Sequence, residues 1–201
     1  MCGVFAYSGT DPDAAATVMR GLRTLEYRGY DSWGIAVVGD RGLCIEKRVG
    51  RIGVANRTSL GPARTGIGHT RWATHGGVNE RNAHPHTGCV DRIAVVHNGV
   101  VENHRSLRIE LERRGHQFAS DTDTEVIAHL VEDELASGVA LLRAVNRADA
   151  RLDGSSAFIV LDATDGQLVA VRRGSPLVLG IGSTSTWIAS DVAALASHTR
   201  D

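Results

Sequence analysis

The sequence contains little cysteine, few aromatic residues and no excess of charge of either sign. Its 201 residues include three cysteines, aromatic residues make up 4%, and the formal net charge is −1. Three widely separated cysteines predict neither a disulfide framework nor a clustered zinc site. Nucleic-acid and membrane-surface binding usually need a basic excess, so the charge argues against both. We expect a reducing, cytoplasmic setting, which would keep a reactive thiol reduced.

Long apolar runs are absent as well. No run approaches the roughly 20 residues that cross a membrane, and the first residues lack the basic and apolar regions of a signal peptide. The sequence instead has 42% hydrophobic residues and 23 glycines, which is typical of a globular chain with many turns. Its length favours one large domain or a tight pair of domains.

Short β-rich runs and amphipathic helical runs occur together along the chain. Turn signals separate many of the β-rich runs, which predicts an α+β fold with a largely antiparallel sheet. The predicted strands cover 2–8, 33–38, 43–49, 65–69, 92–97, 156–161, 168–172, 177–180 and 187–189. The predicted helices cover 14–26, 103–115, 122–135 and 139–152. Residues 71–89 have no apolar period, and a loop of that length inside a compact domain is usually functional or disordered.

The first residues, Met1-Cys2-Gly3, offer one specific chemical arrangement. The initiator methionine is removed efficiently only when a small residue follows it, and Cys2 is small. Removal would leave a thiol and a free α-amine on the same carbon, with reference pKa values of roughly 8.5 and 7.7–8.0. An amine poised near neutral pH can act as the general base for the thiol. The alternative is a structural cysteine that opens a buried strand.

Three other positions could bind or polarise a polar substrate, although each has a plainer explanation. Arg71 enters a glycine-containing loop and could grip a carboxylate with its guanidinium, or it could pair with a neighbouring acid. Asn98-Gly99 could aim an amide and a backbone N–H at one oxygen, as an oxyanion hole requires, or form a plain β-turn. Asp123 could accept hydrogen bonds from a substrate ammonium or cap a helix. Thr122 and Glu125 fit a capping box that would leave Asp123 partly free.

Six of the nine histidines fall between His69 and His104, which makes a metal site a candidate. The group has neither a HExxH spacing nor an associated cysteine or carboxylate cluster. We therefore expect loop and structural histidines and no bound metal. Cys44 and Cys89 are interpreted as structural or incidental thiols.

Several long motifs carry a resemblance to a known family. They are Cys2-Gly3, LEYRGYDS (25–32), HTRWATHG (69–76), NAHPH (82–86), HNGVVENH (97–104) and TDTEVIAHL (122–130). In this order they resemble the glutaminase domain of glucosamine-6-phosphate synthases, which are class II glutamine amidotransferases with an N-terminal nucleophile. The resemblance covers essentially all of residues 1–201.

The resemblance implies a four-layer αββα sandwich of the N-terminal-nucleophile hydrolase type, and it assigns roles to individual residues. Cys2 would be the nucleophile, and Asn98 and Gly99 would form the oxyanion hole. Arg71 would hold the α-carboxylate of glutamine, and Asp123 would hold its α-ammonium. The other assigned residues are Trp72, Thr74 and His75 in the loop that closes over the substrate, and Arg28, which orders the N-terminal region.

The implied reaction is hydrolysis of the side-chain amide of L-glutamine to glutamate and ammonia, with no cofactor and no metal. The ammonia would aminate fructose-6-phosphate on sugar-isomerase domains or a separate isomerase subunit, and a homodimer is compatible with the resemblance. The sequence contains no isomerase region, and the family's glutaminase domains normally continue with further strands, so we expect a C-terminally incomplete domain. The alternative is a non-catalytic module that binds glutamine or a protein partner. Trp33 stands where the family often has a small residue, which predicts different packing beside the 25–32 loop.

Overall fold

The computed structural model describes residues 2–53, 58–74 and 76–199, which form two β-sheets and four α-helices. The strands are β1 (Gly3–Gly9), β2 (Ser32–Gly39), β3 (Gly42–Val49), β4 (Thr65–Arg71), β5 (His86–Thr87), β6 (Ile93–Gly99), β7 (Ser156–Asp162), β8 (Leu168–Arg173), β9 (Val178–Ile181) and β10 (Ser185–Ala189). The helices are α1 (Ala14–Thr24), α2 (His104–Arg113), α3 (Glu125–Ala136) and α4 (Leu141–Asp149). None of these described helices has the length and apolarity needed to cross a membrane.

The strands divide into a larger and a smaller sheet. The larger sheet has six strands in the order β3-β2-β4-β1-β10-β9, and the smaller has four in the order β5-β6-β7-β8. The strand pairs of both sheets, as far as the structure describes them, are antiparallel. The predicted α+β class with largely antiparallel sheets is confirmed.

Side chains that alternate along β1 explain why the two sheets stack. Phe5 and Tyr7 pack with Leu22 in an apolar cluster between the six-stranded sheet and α1. Val4 and Ala6 point the other way, into a cluster shared with the four-stranded sheet. A strand that is buried on both faces reads as a continuous apolar run rather than an alternating one. The uninterrupted run at the start of the sequence therefore marks a central strand.

The four-stranded sheet is buried on both faces too. Val96 and Ile159 face the six-stranded sheet, whereas Val95 and Phe158 pack against the layer formed by α2, α3 and α4. Three apolar clusters therefore separate four layers in the order helix, sheet, sheet, helices. The expected αββα sandwich is confirmed.

The start of α3 differs from the expected capping box. The helix begins at Glu125, and Thr124 occupies the cap position without a side-chain cap hydrogen bond. Thr122 makes no cap either; Glu125 instead accepts hydrogen bonds from the backbone N–H groups of Ala119 and Ser120, at 2.6 and 2.7 Å. The capping-box prediction was wrong. Glu125 accepts its hydrogen bonds from backbone N–H groups of the preceding loop rather than from the N-terminal cap of its own helix.

Asn98 and Gly99 do not form the plain turn that this dipeptide often indicates. They are the last residues of β6 and pair with Ala157 and Ser156 of β7. Gly99 has a φ of 137°, and a Cβ at this position would lie 2.1 Å from the carbonyl oxygen of Ser155. Glycine is required here by both the backbone conformation and the close approach of β7.

Trp33, which directly follows the 25–32 segment, lies in the core. It is part of β2, it is 1% exposed, and it packs in the cluster between α1 and the six-stranded sheet. A large indole at this position fills that layer.

We expect Trp33→Ala to lower the free energy of unfolding by about 3–5 kcal/mol, because the substitution replaces a buried aromatic side chain with a cavity. Urea unfolding followed by circular dichroism measures the change. Trp72→Ala is the matched control: since Trp72 is 46% exposed, its loss should cost about 1 kcal/mol or less. Equal losses for the two variants would contradict the core position of Trp33.

Candidate active site

Strand ends bring the candidate residues together at one rim of the sandwich. Cys2 directly precedes β1, and Gly3 pairs with Thr70 near the end of β4. Arg71 is the last residue of β4. Asn98 ends β6 in the facing sheet, together with the glycine that follows it. The two sheets therefore contribute to one site from opposite sides.

The Cys2 thiol contacts the chain just beyond β4. The backbone N–H of Trp72 donates to Cys2 Sγ at 3.2 Å, and the sulfur lies 3.5 Å from the carbonyl oxygen of the same residue. Burial raises the pKa of the thiol, and this outweighs the opposing effect of the Trp72 hydrogen bond. The thiol is therefore protonated at neutral pH and needs a base before it can act as a nucleophile.

Two side chains hold the backbone carbonyl of Cys2. Asn98 Nδ2 donates to this oxygen at 3.0 Å, and Arg28 Nε donates to it at 3.1 Å. Arg28 forms an ion pair with Asp191 at 3.2 Å, and Tyr27 donates to the same carboxylate oxygen at 2.7 Å. The position of the Cys2 backbone is thereby tied to the facing sheet and to the segment that follows β10.

His69, which the sequence indicates only as a loop or structural histidine, sets the orientation of the Asn98 amide. Its Nε2 lies 3.1 Å from the carbonyl oxygen of His97 and 3.2 Å from Asn98 Oδ1. Because a carbonyl oxygen can only accept, Nε2 carries the proton, and the Asn98 NH2 group is left to face Cys2. Burial lowers the pKa of His69 to about 3, so the ring is neutral at physiological pH.

Arg71 and Asp123 line one small cavity next to the thiol. Its volume is about 30 Å³, which is the scale of a single water molecule. Arg71 is buried, and its guanidinium donates to the carbonyl oxygens of Gly76 and Gly77 at 3.3 and 3.2 Å. The Asp123 carboxylate accepts a hydrogen bond from the Val101 N–H at 2.7 Å. Groups of opposite charge therefore face the same cavity.

The segment after β4 covers this cavity. Trp72 and Thr74 line it, and the Trp72 ring packs edge-on against Tyr30 with 5.4 Å between ring centroids. The backbone N–H between them, that of Ala73, donates to the Asp31 carboxylate at 2.9 Å. His75, the remaining residue assigned to this loop, lies outside the described residues.

A larger cavity of about 460 Å³ also reaches Cys2. Arg28 and Asn98 line it, together with residues that the sequence analysis did not single out: Glu102, Ser155, Ser175 and Pro176. The hydroxyl oxygens of Ser155 and Ser175 lie 3.3 Å apart. Glu102 lies within the 97–104 motif, whereas Ser155 and Ser175 flank β7 and β8 and reach the site through the pairing of β6, β7 and β8.

The histidines between 69 and 97 that the structure describes form a buried, packed group. The rings of His69 and His84 stack at 4.0 Å, and His86 packs edge-on against His84 at 4.6 Å. His97 Nδ1 lies 2.9 Å from Thr124 Oγ1. Burial lowers the pKa of all four rings. Neutral, packed rings fit the structural role expected from the sequence.

Comparison with curated proteins finds relatives that are longer than this chain. Glutamine–fructose-6-phosphate aminotransferase from Halobacterium salinarum is 50% identical over 199 residues, which cover 99% of this chain and 33% of that protein. The enzyme of the same name from Streptomyces coelicolor is 48% identical over 207 residues, which cover all of this chain and 33% of that protein. The chain thus spans about a third of the length of these relatives.

Comparisons with solved structures and with family models also find glutamine amidotransferases. Glutamine phosphoribosylpyrophosphate amidotransferase from B. subtilis, in complex with ADP and GMP, superposes with a TM-score of 0.82 and 27% identity, covering 96% of this chain and 43% of that one. A structure described as the allosteric regulatory enzyme of purine biosynthesis gives a TM-score of 0.83 and 28% identity over the same shares. The family model for the glutamine amidotransferase domain matches residues 69–197. The chain belongs to the glutamine amidotransferase domain family.

Proposed function

We propose that this chain hydrolyses the side-chain amide of L-glutamine to glutamate and ammonia through a thioester on Cys2. The observation that carries the proposal is the convergence of the Cys2 thiol, the Asn98 amide and the end of β6 where the two sheets meet. Arg71 and Asp123 face the adjoining cavity with charges opposite to those of an amino acid's α-carboxylate and α-ammonium. Membership of the amidotransferase family supports the same substrate class.

Activation of the thiol would begin with removal of Met1, which lies outside the described residues. The freed α-amine of Cys2 then accepts the thiol proton, directly or through a water molecule. Because burial raises the pKa of this thiol, little thiolate forms without that base.

The thiolate attacks the side-chain amide carbon of glutamine, and the amide oxygen becomes an oxyanion. Asn98 Nδ2 and the Gly99 N–H would donate hydrogen bonds to it, and one such donor contributes about 3–4 kcal/mol in comparable sites. The protonated α-amine returns its proton to the amide nitrogen, which leaves as ammonia. Water then hydrolyses the γ-glutamyl thioester, releasing glutamate and restoring the thiol.

Substrate entry would require the segment that covers the small cavity to move. The cavity of about 30 Å³ cannot hold an amino acid, and the carbonyl oxygens of Gly76 and Gly77 occupy the Arg71 guanidinium. An α-carboxylate is a stronger, bidentate partner for a guanidinium than two carbonyl groups are. Glutamine would therefore displace these carbonyls, and Trp72, Thr74 and His75 would close over it.

The released ammonia would leave through the larger cavity beside Cys2. Its destination is proposed to be the amination of fructose-6-phosphate by a sugar-isomerase domain or subunit. The support is the similarity to two glutamine–fructose-6-phosphate aminotransferases, of which the matched region makes up 33% in each case. A cytoplasmic location and a homodimer belong to the same proposal.

We expect Cys2→Ala to abolish glutamate formation from glutamine, because no other group would form the thioester. A coupled glutamate assay measures this, and mass spectrometry of the wild-type chain should find Met1 absent. Cys44→Ala is the control: it removes a thiol on β3, the edge strand of the six-stranded sheet, and should retain wild-type activity.

Two results would contradict the mechanism. Turnover by a chain that retains Met1 would rule out the α-amine as the base. Binding of glutamine without any glutamate formation by the processed wild-type chain would favour the alternative, a non-catalytic glutamine-binding module.

Asp123→Asn should raise KM for glutamine about 10- to 100-fold, because the variant loses the charge that pairs with the α-ammonium. The asparagine oxygen can still accept from the Val101 N–H, so the local backbone contact is kept. Glutaramate, which has the carboxylate and the side-chain amide but no ammonium, provides the control substrate. Wild type and variant should hydrolyse glutaramate at similar rates, whereas an equal loss on both substrates would indicate a merely structural role.

A further inference from the structure

Four side chains with metal-binding atoms converge on the outer side of the four-stranded sheet. Cys89 lies in the loop between β5 and β6, and His116 lies between α2 and α3. His129 and Glu132 are one turn apart on α3. One ligand atom from each of the four residues lies within 4.8 Å of all the others. None of the four lines either cavity at Cys2.

Five of the six distances between these atoms are close to the edges of a metal-centred tetrahedron, and the sixth, from Cys89 to Glu132, is within 4.8 Å. Cys89 Sγ lies 3.6 Å from His116 Nδ1 and 3.7 Å from His129 Nδ1. The two Nδ1 atoms are 3.0 Å apart, and Glu132 Oε2 lies 3.3 and 3.5 Å from them. Zinc bonds of about 2.0–2.3 Å in tetrahedral geometry would hold neighbouring ligand atoms about 3.3–3.6 Å apart.

The outward nitrogens of both rings face carboxylates, and the His116 contact is short enough to be a hydrogen bond. His116 Nε2 lies 2.8 Å from Asp133 Oδ1, so a neutral His116 carries its proton on Nε2 and its lone pair on Nδ1. His129 Nε2 faces Glu125 Oε1 at 3.6 Å, which favours the same tautomer. Carboxylates behind the ligating histidines are a common feature of zinc sites.

The centre of the group is therefore surrounded by electron-pair donors. With both rings neutral in these tautomers, two imidazole lone pairs, a sulfur and a carboxylate oxygen lie within 4.8 Å of one another, and a cation or a proton is needed to offset their repulsion. The backbone holds them in place: the Cys89 and Val90 N–H groups donate to Glu132 at 2.9 and 2.8 Å, and the Gln117 N–H donates to the Cys89 sulfur at 3.4 Å.

We propose that Cys89, His116, His129 and Glu132 form a tetrahedral site for a divalent metal ion, with zinc favoured by the donor set of one sulfur, two imidazoles and one carboxylate. Four protein ligands complete the coordination, so the role is structural. The ion would tie the loop before β6 and the α2–α3 connection to the buried face of α3. His129 is fully buried and Cys89 is exposed, which gives the ion a path from solvent.

The sequence analysis missed this site because its ligands are dispersed. The whole of β6 and α2 separates Cys89 from His116 along the chain, so no short sequence motif indicates the metal site. The sequence pattern indicates an incidental thiol at Cys89, and none of the histidines that cluster along the chain between His69 and His104 is one of the four ligands. Only the packing of α3 against the small sheet joins the four residues.

Metal analysis of the untagged 201-residue chain tests the proposal. We expect about one zinc ion per chain, and removal by a chelator should lower the thermal unfolding midpoint by about 5–10 °C, restored by added zinc. Cys89→Ser and His116→Gln should each lose the stoichiometric metal. Cys44→Ser is the matched thiol control and should retain it.

Cobalt provides a probe that does not depend on the variants folding well. The metal-free wild-type chain titrated with Co²⁺ should develop a thiolate-to-cobalt charge-transfer band and the intense visible bands of tetrahedral cobalt. Cys2→Ala should give the same spectrum, which excludes metal on the candidate nucleophile. A wild-type chain without stoichiometric metal, with no charge-transfer band and no response to chelation, would overturn the proposal and leave a proton shared within the histidine–carboxylate group.

Discussion

The hydrogen bond from Asn98 to the carbonyl oxygen of Cys2 joins the two sheets at the point where the chemistry is proposed to occur. Its length depends on how closely the sheets stack, and the apolar cluster between them, which includes Val4 and Val96, sets that spacing. The orientation of the Asn98 amide depends in turn on a neutral, buried His69. The position of the Asn98 amide is thus a consequence of core packing rather than of loop conformation.

Backbone groups stabilise the two charged side chains of the site, Arg71 and Asp123, and leave their charges available to a substrate. Carbonyl oxygens of Gly76 and Gly77 solvate the Arg71 guanidinium, and a backbone N–H of Val101 solvates the Asp123 carboxylate. Neutral groups stabilise these charges without cancelling them. An amino acid can therefore replace the carbonyls at Arg71 with a charged partner, and the cost of moving the covering segment is offset by the stronger ion pair.

The strands and helices could largely be predicted from apolar runs and turn signals, because the central strands β1, β6 and β7 are buried on both faces and are largely apolar. The positions of Cys2, Arg71, Asn98 and Asp123 were predicted through long motifs. What could not be predicted depends on contacts between distant segments. The local sequence around Glu125 fits a capping box, but its carboxylate accepts hydrogen bonds from the backbone of Ala119 and Ser120. Ser155 and Ser175 reach the larger cavity only through strand pairing, and Cys89 meets α3 only in the folded chain.

Helix α3 connects the proposed metal site to the proposed substrate site. His129 faces the Glu125 carboxylate one turn earlier, and Glu125 holds the backbone of Ser120, two residues before Thr122. Asp123 lies between that anchored loop and the first residue of the helix. A metal ion on His129 and Glu132 would fix the rotation and position of α3 about its axis, and the loop that carries Asp123 would be fixed with it. Two sites without a common residue would then depend on one helix being held in place.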